Sequence, residues 1–187
     1  QLLLEKAGLE ERTFAGNKYT EYGHIIEPQI RDYINLTYNT NFVPNRVING
    51  DIRYHSDGFN GFKVLEVKST SDIHPSASDY KSYLVQLLKG MEENEVSEGI
   101  LAVYDRPEDL NPVFDPKRLQ VFEITMDDYH TLIVHVDREI EKFLSDLARL
   151  KENPLLSEQD FLPAGSLATL ADKVAKFENQ LASLKEI

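Results

Sequence analysis

Apolar residues recur along this chain at two different periods, and the changes between them predict a mixed α/β protein. Leu2 to Leu9 reads as a short helix, followed by a polar loop through Asn17. From Tyr22 to Tyr38 the positions Tyr22, Ile26, Ile30, Tyr33 and Ile34 step by three and four, the period of a helix with one buried face. Pro28 falls inside that stretch, where it is tolerated best near a first turn. Residues 39–45 are turn-rich. Arg46 to His55 then collects β-formers around a Gly50-Asp51 turn signal. Asp57-Gly58, Asn60 and Gly61 mark a tight turn, and Phe62 to Val67 is a short, β-branched, mostly apolar run. Two strands joined through glycine-containing turns are predicted here.

A Ser/Asp/Pro-rich loop over residues 69–78 leads into a helix from Tyr80 to Glu93, with Tyr80, Tyr83, Leu84, Leu87, Leu88 and Met91 on one face. Gly99 to Tyr104 and Leu119 to Ile124 are predicted strands. The tail carries two helical series. Ile133, Val136, Ile140, Phe143, Leu147 and Leu150 form the first, ended by Asn153-Pro154, and Leu167, Leu170, Val174, Phe177, Leu181 and Leu184 form the second. Each spans about three heptads, the lower edge for a coiled coil. The order predicts an α/β or α+β fold, a core over residues 1–130 and a helical extension over 131–187. That extension either packs on the core or serves oligomerisation.

Composition narrows the function classes. The 187 residues are 41% hydrophobic and 10% aromatic, enough for a folded core. No apolar run approaches the roughly 18 residues that cross a bilayer. The chain has no Cys, which excludes a disulfide framework and a thiolate zinc site. No signal peptide is visible in a chain that opens at Gln1, so an upstream segment is expected, and a soluble intracellular protein is the default expectation. The formal net charge is −12, which argues against holding nucleic acid by bulk positive charge.

The informative segment is His55-Ser56-Asp57-Gly58, then Glu66-Val67-Lys68. Glu66 and Lys68 lie two apart in a predicted strand and share a face. If the strands form a hairpin, Asp57 meets that face at its edge. Two carboxylates and the Val67 carbonyl then make an oxygen-rich pocket suited to Mg²⁺. The Lys68 ammonium beside it orients a water or stabilises developing negative charge, the grouping that metal-assisted phosphodiester hydrolysis requires. Each element also has a plainer reading. Glu-Val-Lys is what a half-exposed strand looks like. Glu27, in Gly23-His24-Ile25-Ile26-Glu27-Pro28, is what a helix dipole favours in a first turn. Gln86, inside the run Tyr83 to Lys89, is also an ordinary exposed helix position.

Taken in order, Gly-x-x-x-Glu-Pro on a helix, Ser-Asp-Gly, Glu-Val-Lys and a helical Gln resemble the PD-(D/E)XK nuclease superfamily, and within it the phage lambda-exonuclease-like (YqaJ-type) viral recombinase family. The resemblance runs from about Leu3 to Tyr104, and includes Leu3-Leu4-Glu5-Lys6-Ala7-Gly8-Leu9 ahead of the first motif. It implies a restriction-endonuclease-like core with a central mixed sheet. Glu27, Asp57, Glu66 and the Val67 carbonyl would hold Mg²⁺, with Mn²⁺ as a substitute, Lys68 would assist the attacking water, and Gln86 would support the site. It further implies a phage or prophage enzyme of the bacterial cytoplasm. That enzyme digests double-stranded DNA 5′→3′ and leaves 3′ single strands for recombination, with a single-strand annealing protein as partner and a homo-oligomer, a trimer, as its assembly. An endonuclease on the same fold, restriction or junction-resolving, is the alternative within the class. A non-catalytic acidic binding module acting through its heptad helices is the alternative outside it.

Three departures stand out. Ser56 replaces the Pro of the superfamily motif, and His55 stands where relatives often carry a small polar residue. The family's phosphate-binding Arg and Ser are expected upstream of the first helix, so no residue is assigned to anchoring a DNA 5′ end. The five histidines form no HxH or HExxH pattern, and His24 and His55 are the two nearest the motifs. Lys63, Lys68, Lys81 and Lys89, interleaved with Tyr54, Phe59, Phe62, Tyr80 and Tyr83, either face a nucleic-acid strand or divide into core aromatics and a solvated rim.

Overall fold

The computed structural model describes residues 2–11, 16–156 and 158–161. The second heptad-like series, Leu167 to Leu184, lies outside the described residues. Two units can be distinguished, one over residues 14–138 and one over 1–13 with 139–187.

In the larger unit, helix α2 spans Lys18–Tyr38. It starts a full turn before Tyr22 because Asn17 caps it, accepting from the backbone N–H of Tyr19 (2.9 Å) and Thr20 (3.1 Å). Asn39 ends it in the left-handed conformation, with φ 51° and ψ 49°. Pro28 therefore stands mid-helix rather than in the first turn, and it has no N–H to offer the carbonyl of His24. Strands β1 (Val43–Asn49), β2 (Ile52–Phe59), β3 (Lys63–Thr70), β4 (Glu98–Asp105) and β5 (Leu119–Thr125) form one sheet in sequential order. Helix α3 (Lys81–Glu93) makes the crossover between β3 and β4, the one parallel pair, and the other neighbours are antiparallel. Where two strands were predicted between residues 46 and 67, three are present. Gly50-Asp51 is a genuine hairpin turn, and the segment 43–45 extends β1 instead of forming a turn.

The sheet is covered on both faces, and strict alternation along the central strands explains how. Leu65, Val67, Ile100, Ala102 and Tyr104 point toward α2, where Tyr22, Ile26, Ile30 and Ile34 meet them with Phe42. Val64, Leu101 and Val103 point toward α3, where Leu84, Leu87, Leu88 and Met91 meet them with Tyr54 and Ile124. Helix α4 (His130–Glu152) adds Ile133 to this second core. The result is a mixed sheet between helices, the predicted fold class.

The smaller unit contains α1 (Leu2–Ala7) and the residues of α4 from Glu139 onward. Within it Leu150 is buried, and the Arg149 guanidinium lies 5.2 Å from the centre of the Phe161 ring.

One close approach fixes α3 on its sheet face. A Cβ at Gly90 would lie 2.1 to 2.4 Å from the ring tip of Tyr54, a buried side chain with no room to retreat. Glycine is poor in a helix interior, so this position is set by packing. Gly90→Ala should therefore destabilise the protein by about 1–3 kcal/mol in urea titration, even though the substitution alone favours the helix by roughly 1 kcal/mol. Stabilisation would mean that Tyr54 does not pin this contact.

Candidate active site

Strands β2 and β3 pair at only two positions, Gly58 with Leu65 and Phe59 with Val64. Beyond Gly58 the two strands part, and the backbone groups there need other partners. Two side chains supply them. The Asp57 carboxylate accepts from the N–H of Val67 through Oδ2 (2.7 Å). The Arg31 guanidinium donates to the carbonyl of Asp57 (2.6 Å). The cause of the parting lies on the other edge of β2. Asn45 pairs with Ser56 and Val43 with Phe59, so Pro44 faces both Asp57 and Gly58. Pro44 has no N–H for the ladder, and the extra residue on β2 is accommodated as a bulge. Asp57 thus sits in a bulged strand, not in the tight turn predicted for it. Gly58 is required beside it, since a Cβ there would fall 2.8 Å from Cβ of Phe42.

The fork opens onto β3 at Glu66, Val67 and Lys68. Glu66 faces α3 and is fully buried, at 0% exposure. Its two oxygens have separate partners. Oε2 accepts from the Tyr54 hydroxyl (2.7 Å) and Oε1 is held by the Lys68 ammonium. A buried carboxylate without such partners is strongly destabilising. Glu27 projects from α2, with Oε1 paired to Arg31 one helical turn on (2.8 Å). Arg31 therefore joins the helix carboxylate to the backbone of the bulge. A cleft of about 380 Å³ opens here, lined by Tyr19, Thr20, Gly23, His24, Ile26 and Glu27 of α2 on one side and by Asp57, Val67, Lys68 and Ser69 of β2 and β3 on the other.

The electrostatics follow from that crowding. Burial raises the Asp57 carboxyl from 3.8 to about 7, and the neighbouring charges of Glu66 and Glu27 add to the shift. Burial also raises Glu66, against the pull of Lys68. Burial and the adjacent Glu66 push the Tyr54 hydroxyl up, so it remains a donor.

The other candidates are placed differently. Gln86 is exposed on α3, one turn beyond Tyr83, and no hydrogen bond joins it to the carboxylates. His24 lines the cleft, whereas His55 is exposed on β2 and is not among its lining residues. Most of the interleaved aromatic and basic residues belong to core and rim. Tyr54 and Tyr80 are buried, while Phe59 and Tyr83 pack on the α3 core. Lys63 pairs with Glu98 and Glu123, and Lys89 pairs with Glu92, Glu93 and Asp137. Phe62 is exposed. Tyr83 does reach the site, since the Lys68 ammonium lies 6.0 Å from the centre of its ring. Two site residues escaped the sequence reading. Arg31 had an available signal, its i,i+4 spacing from Glu27. Tyr54 had none of its own, because contact with Glu66 depends on the packing of α3.

The donor set has the chemistry of a hard-cation site: three carboxylates, one of which, Asp57, is raised by its burial and by the charges of the other two. In the described residues four of their six oxygens accept from protein donors, and no group of three Asp, Glu or His is gathered closely enough to hold one ion. Asp57 Oδ1 and Glu27 Oε2 carry no hydrogen bond. Charge removal at Asp57 should therefore stabilise the metal-free protein. An unfolded Asp gives up its proton near pH 4 and the folded one near pH 7, so stability falls as pH rises through that window. In EDTA, Asp57→Asn should raise Tm by about 5 °C at roughly pH 8 and by little near pH 4. An equal change at both pH values would rule out the charge of the buried Asp57 as the cause.

Comparison with family models and with curated proteins yields no match. Solved structures do match. A phage-related exonuclease from Haemophilus somnus 129PT superposes with a TM-score of 0.57 at 18% identity, over 81% of this chain and 78% of that one. An alkaline exonuclease from Laribacter hongkongensis gives 0.55 at 16% identity, over 94% and 82%. The chain has the fold of these exonucleases, the restriction-endonuclease-like architecture that its motif order resembles.

Proposed function

We propose that this protein is a divalent-metal-dependent deoxyribonuclease that digests duplex DNA from an end, 5′→3′, and leaves a 3′ single strand for recombination. The observation that carries the reading is the meeting of Glu27, Asp57 and Lys68 on one cleft in front of the buried Glu66. The two structural neighbours, both exonucleases and one phage-related, support the choice of an exonuclease acting in a phage setting. By the same family resemblance the product strand passes to an annealing protein and the enzyme works as a homo-oligomer, a trimer.

Asp57, Glu66, Glu27 and the Val67 carbonyl are the ligands we assign to Mg²⁺, with Mn²⁺ as a substitute. When bound, the ion supplies Lewis acidity toward the scissile phosphate and lowers the pKa of water. Lys68 is anchored by Glu66 at the cleft edge, where its ammonium orients the attacking water and offsets charge developing on the phosphate. Arg31 is a positioning residue. It fixes Glu27 and the Asp57 backbone together, so the helix and the bulge present their carboxylates to the same space. Tyr54 does the same for Glu66 from beneath.

The test is digestion of end-labelled linear duplex against covalently closed circular duplex in Mg²⁺. Linear DNA should be degraded and circular DNA left intact, whereas equal attack on circles would establish an endonuclease. Lys68→Ala and Glu66→Gln should each lower the rate by about a thousandfold or more while the protein stays folded. Wild-type rates from Lys68→Ala would overturn the mechanism. Mg²⁺ should also raise the Tm of the wild type and have no effect on Asp57→Asn, a response that a non-catalytic binding module has no reason to give.

A further inference from the structure

Two residues of the cleft lining, Tyr19 and Ser69, have no part in the proposed chemistry, and both touch Arg106. Arg106 follows directly on β4, and its backbone N–H donates to the carbonyl of Thr70 (2.8 Å). Its guanidinium lies 4.1 Å from the centre of the Tyr19 ring, a cation–π stack, and the Lys18 ammonium lies 5.0 Å from the same ring. Nη1 donates to the carbonyl of Ser69 (3.2 Å) and Nη2 to the Ser71 hydroxyl (3.5 Å). Arg106 is half-buried and forms no ion pair with any described carboxylate. That is unusual in a chain of net charge −12, because a partly buried guanidinium is normally matched by an anion. Beside it Ser69 lines the cleft next to Lys68, and its hydroxyl oxygen is buried with no hydrogen-bond partner. Such a group costs stability unless a ligand or water satisfies it. The opposite wall is the first two turns of α2, a 21-residue helix whose macrodipole is positive at this end.

We infer that Arg106, braced on Tyr19 and on the Ser69 carbonyl, forms with the Ser69 hydroxyl a subsite for an internal phosphodiester of the strand being cut. The planar fork of Arg matches a phosphate through two parallel N–H bonds, and stacking on Tyr19 holds the fork in place before the ligand arrives. Because Arg106 bonds the carbonyl next to Lys68, a phosphate held there sets the register of the strand relative to the carboxylates. The inference rests on the nuclease reading and adds to it the residues that position the strand.

The test measures anisotropy of a fluorescent duplex oligonucleotide, with and without a 5′-phosphate, in Mg²⁺ over a series of KCl concentrations. The full chain carries Glu66→Gln so that the probe survives. Adding Arg106→Gln should raise Kd about tenfold and reduce the slope of log K against log salt by about one. Arg106→Lys should keep the slope. Ser69→Ala should weaken binding about threefold while leaving the metal-free Tm equal or higher, since only an unpartnered hydroxyl is lost. This opposite movement of stability and affinity separates a ligand contact from a structural one, and it holds even if Arg106→Gln folds poorly. The losses should be the same with either 5′ end, and a loss confined to the phosphorylated probe would overturn the assignment to an internal phosphodiester. Wild-type affinity and slope in both Arg106→Gln and Ser69→Ala, in a protein whose parent cuts DNA, would overturn the subsite and leave the nuclease reading standing. Failure of the parent to bind or cut DNA would overturn both.

Discussion

Everything at the candidate site depends on β2 leaving β3 after a two-residue ladder. A continuous ladder would have satisfied the Val67 N–H and the Asp57 carbonyl with each other's strand, and no side chain would have been needed between them. The bulge opposite Pro44 prevents this, and both groups must be paired some other way. The Asp57 carboxylate closes one and Arg31 the other. Arg31 can do so only from a helix that crosses this point, so α2 is tied to the opening by the same bond that brings Glu27 there. One local failure of strand pairing thus recruits a carboxylate from the strand, a carboxylate from the helix and the cleft between them.

The buried Glu66 sets the second constraint. Its face of β3 belongs to the α3 core, where neighbouring positions are Val64 and Leu101. A carboxylate in that position costs several kcal/mol unless paired. Tyr54 and Lys68 pair it, and Gly90 makes room for Tyr54. The packing of α3 therefore serves an electrostatic purpose as well as a hydrophobic one. Burial raises Asp57, and the charges of Glu66 and Glu27 raise it further. A fold selected only for stability would replace these groups with apolar ones. Such a cluster of carboxylates is the arrangement that the proposed cation would neutralise on binding.

The sequence made most of the strands, the two covering helices and the order of Glu27, Asp57, Glu66 and Lys68 along them readable, because those rest on period and order. What it hid rests on contacts between elements. Asp57-Gly58 has the composition of a turn, and only the pairing of Pro44 across the sheet shows that it is a bulged strand. Tyr54 and Tyr80 fit either a strand-facing or a core role by sequence, and the alternation along β2 and the docking of α3 bury both. Gln86 fits the motif order, yet it is exposed on α3 and no hydrogen bond ties it to the carboxylates. Arg31 was visible as a spacing, but its bond to a backbone carbonyl 26 positions away was not.

The charge balance acquires a different meaning once the pairs are assigned. A net charge of −12 spread evenly would repel a polyanion from every side. The described cations are not spread evenly. Lys63 and Lys89 are absorbed by carboxylates on the far ends of β3 and α3, which neutralises those regions without creating a basic surface. Around the cleft the pattern reverses. Lys68 and Arg31 already balance Glu66 and Glu27, while Arg106 and Lys18 have no acid to balance and share a single aromatic ring. Compensating the remaining carboxylate, Asp57, with a cation would leave the cleft locally positive inside an acidic protein. Focusing of that kind aligns a strand in one groove and discourages binding elsewhere. Under the proposed function, in which the protein would track along DNA, this is of more use than a uniformly basic surface.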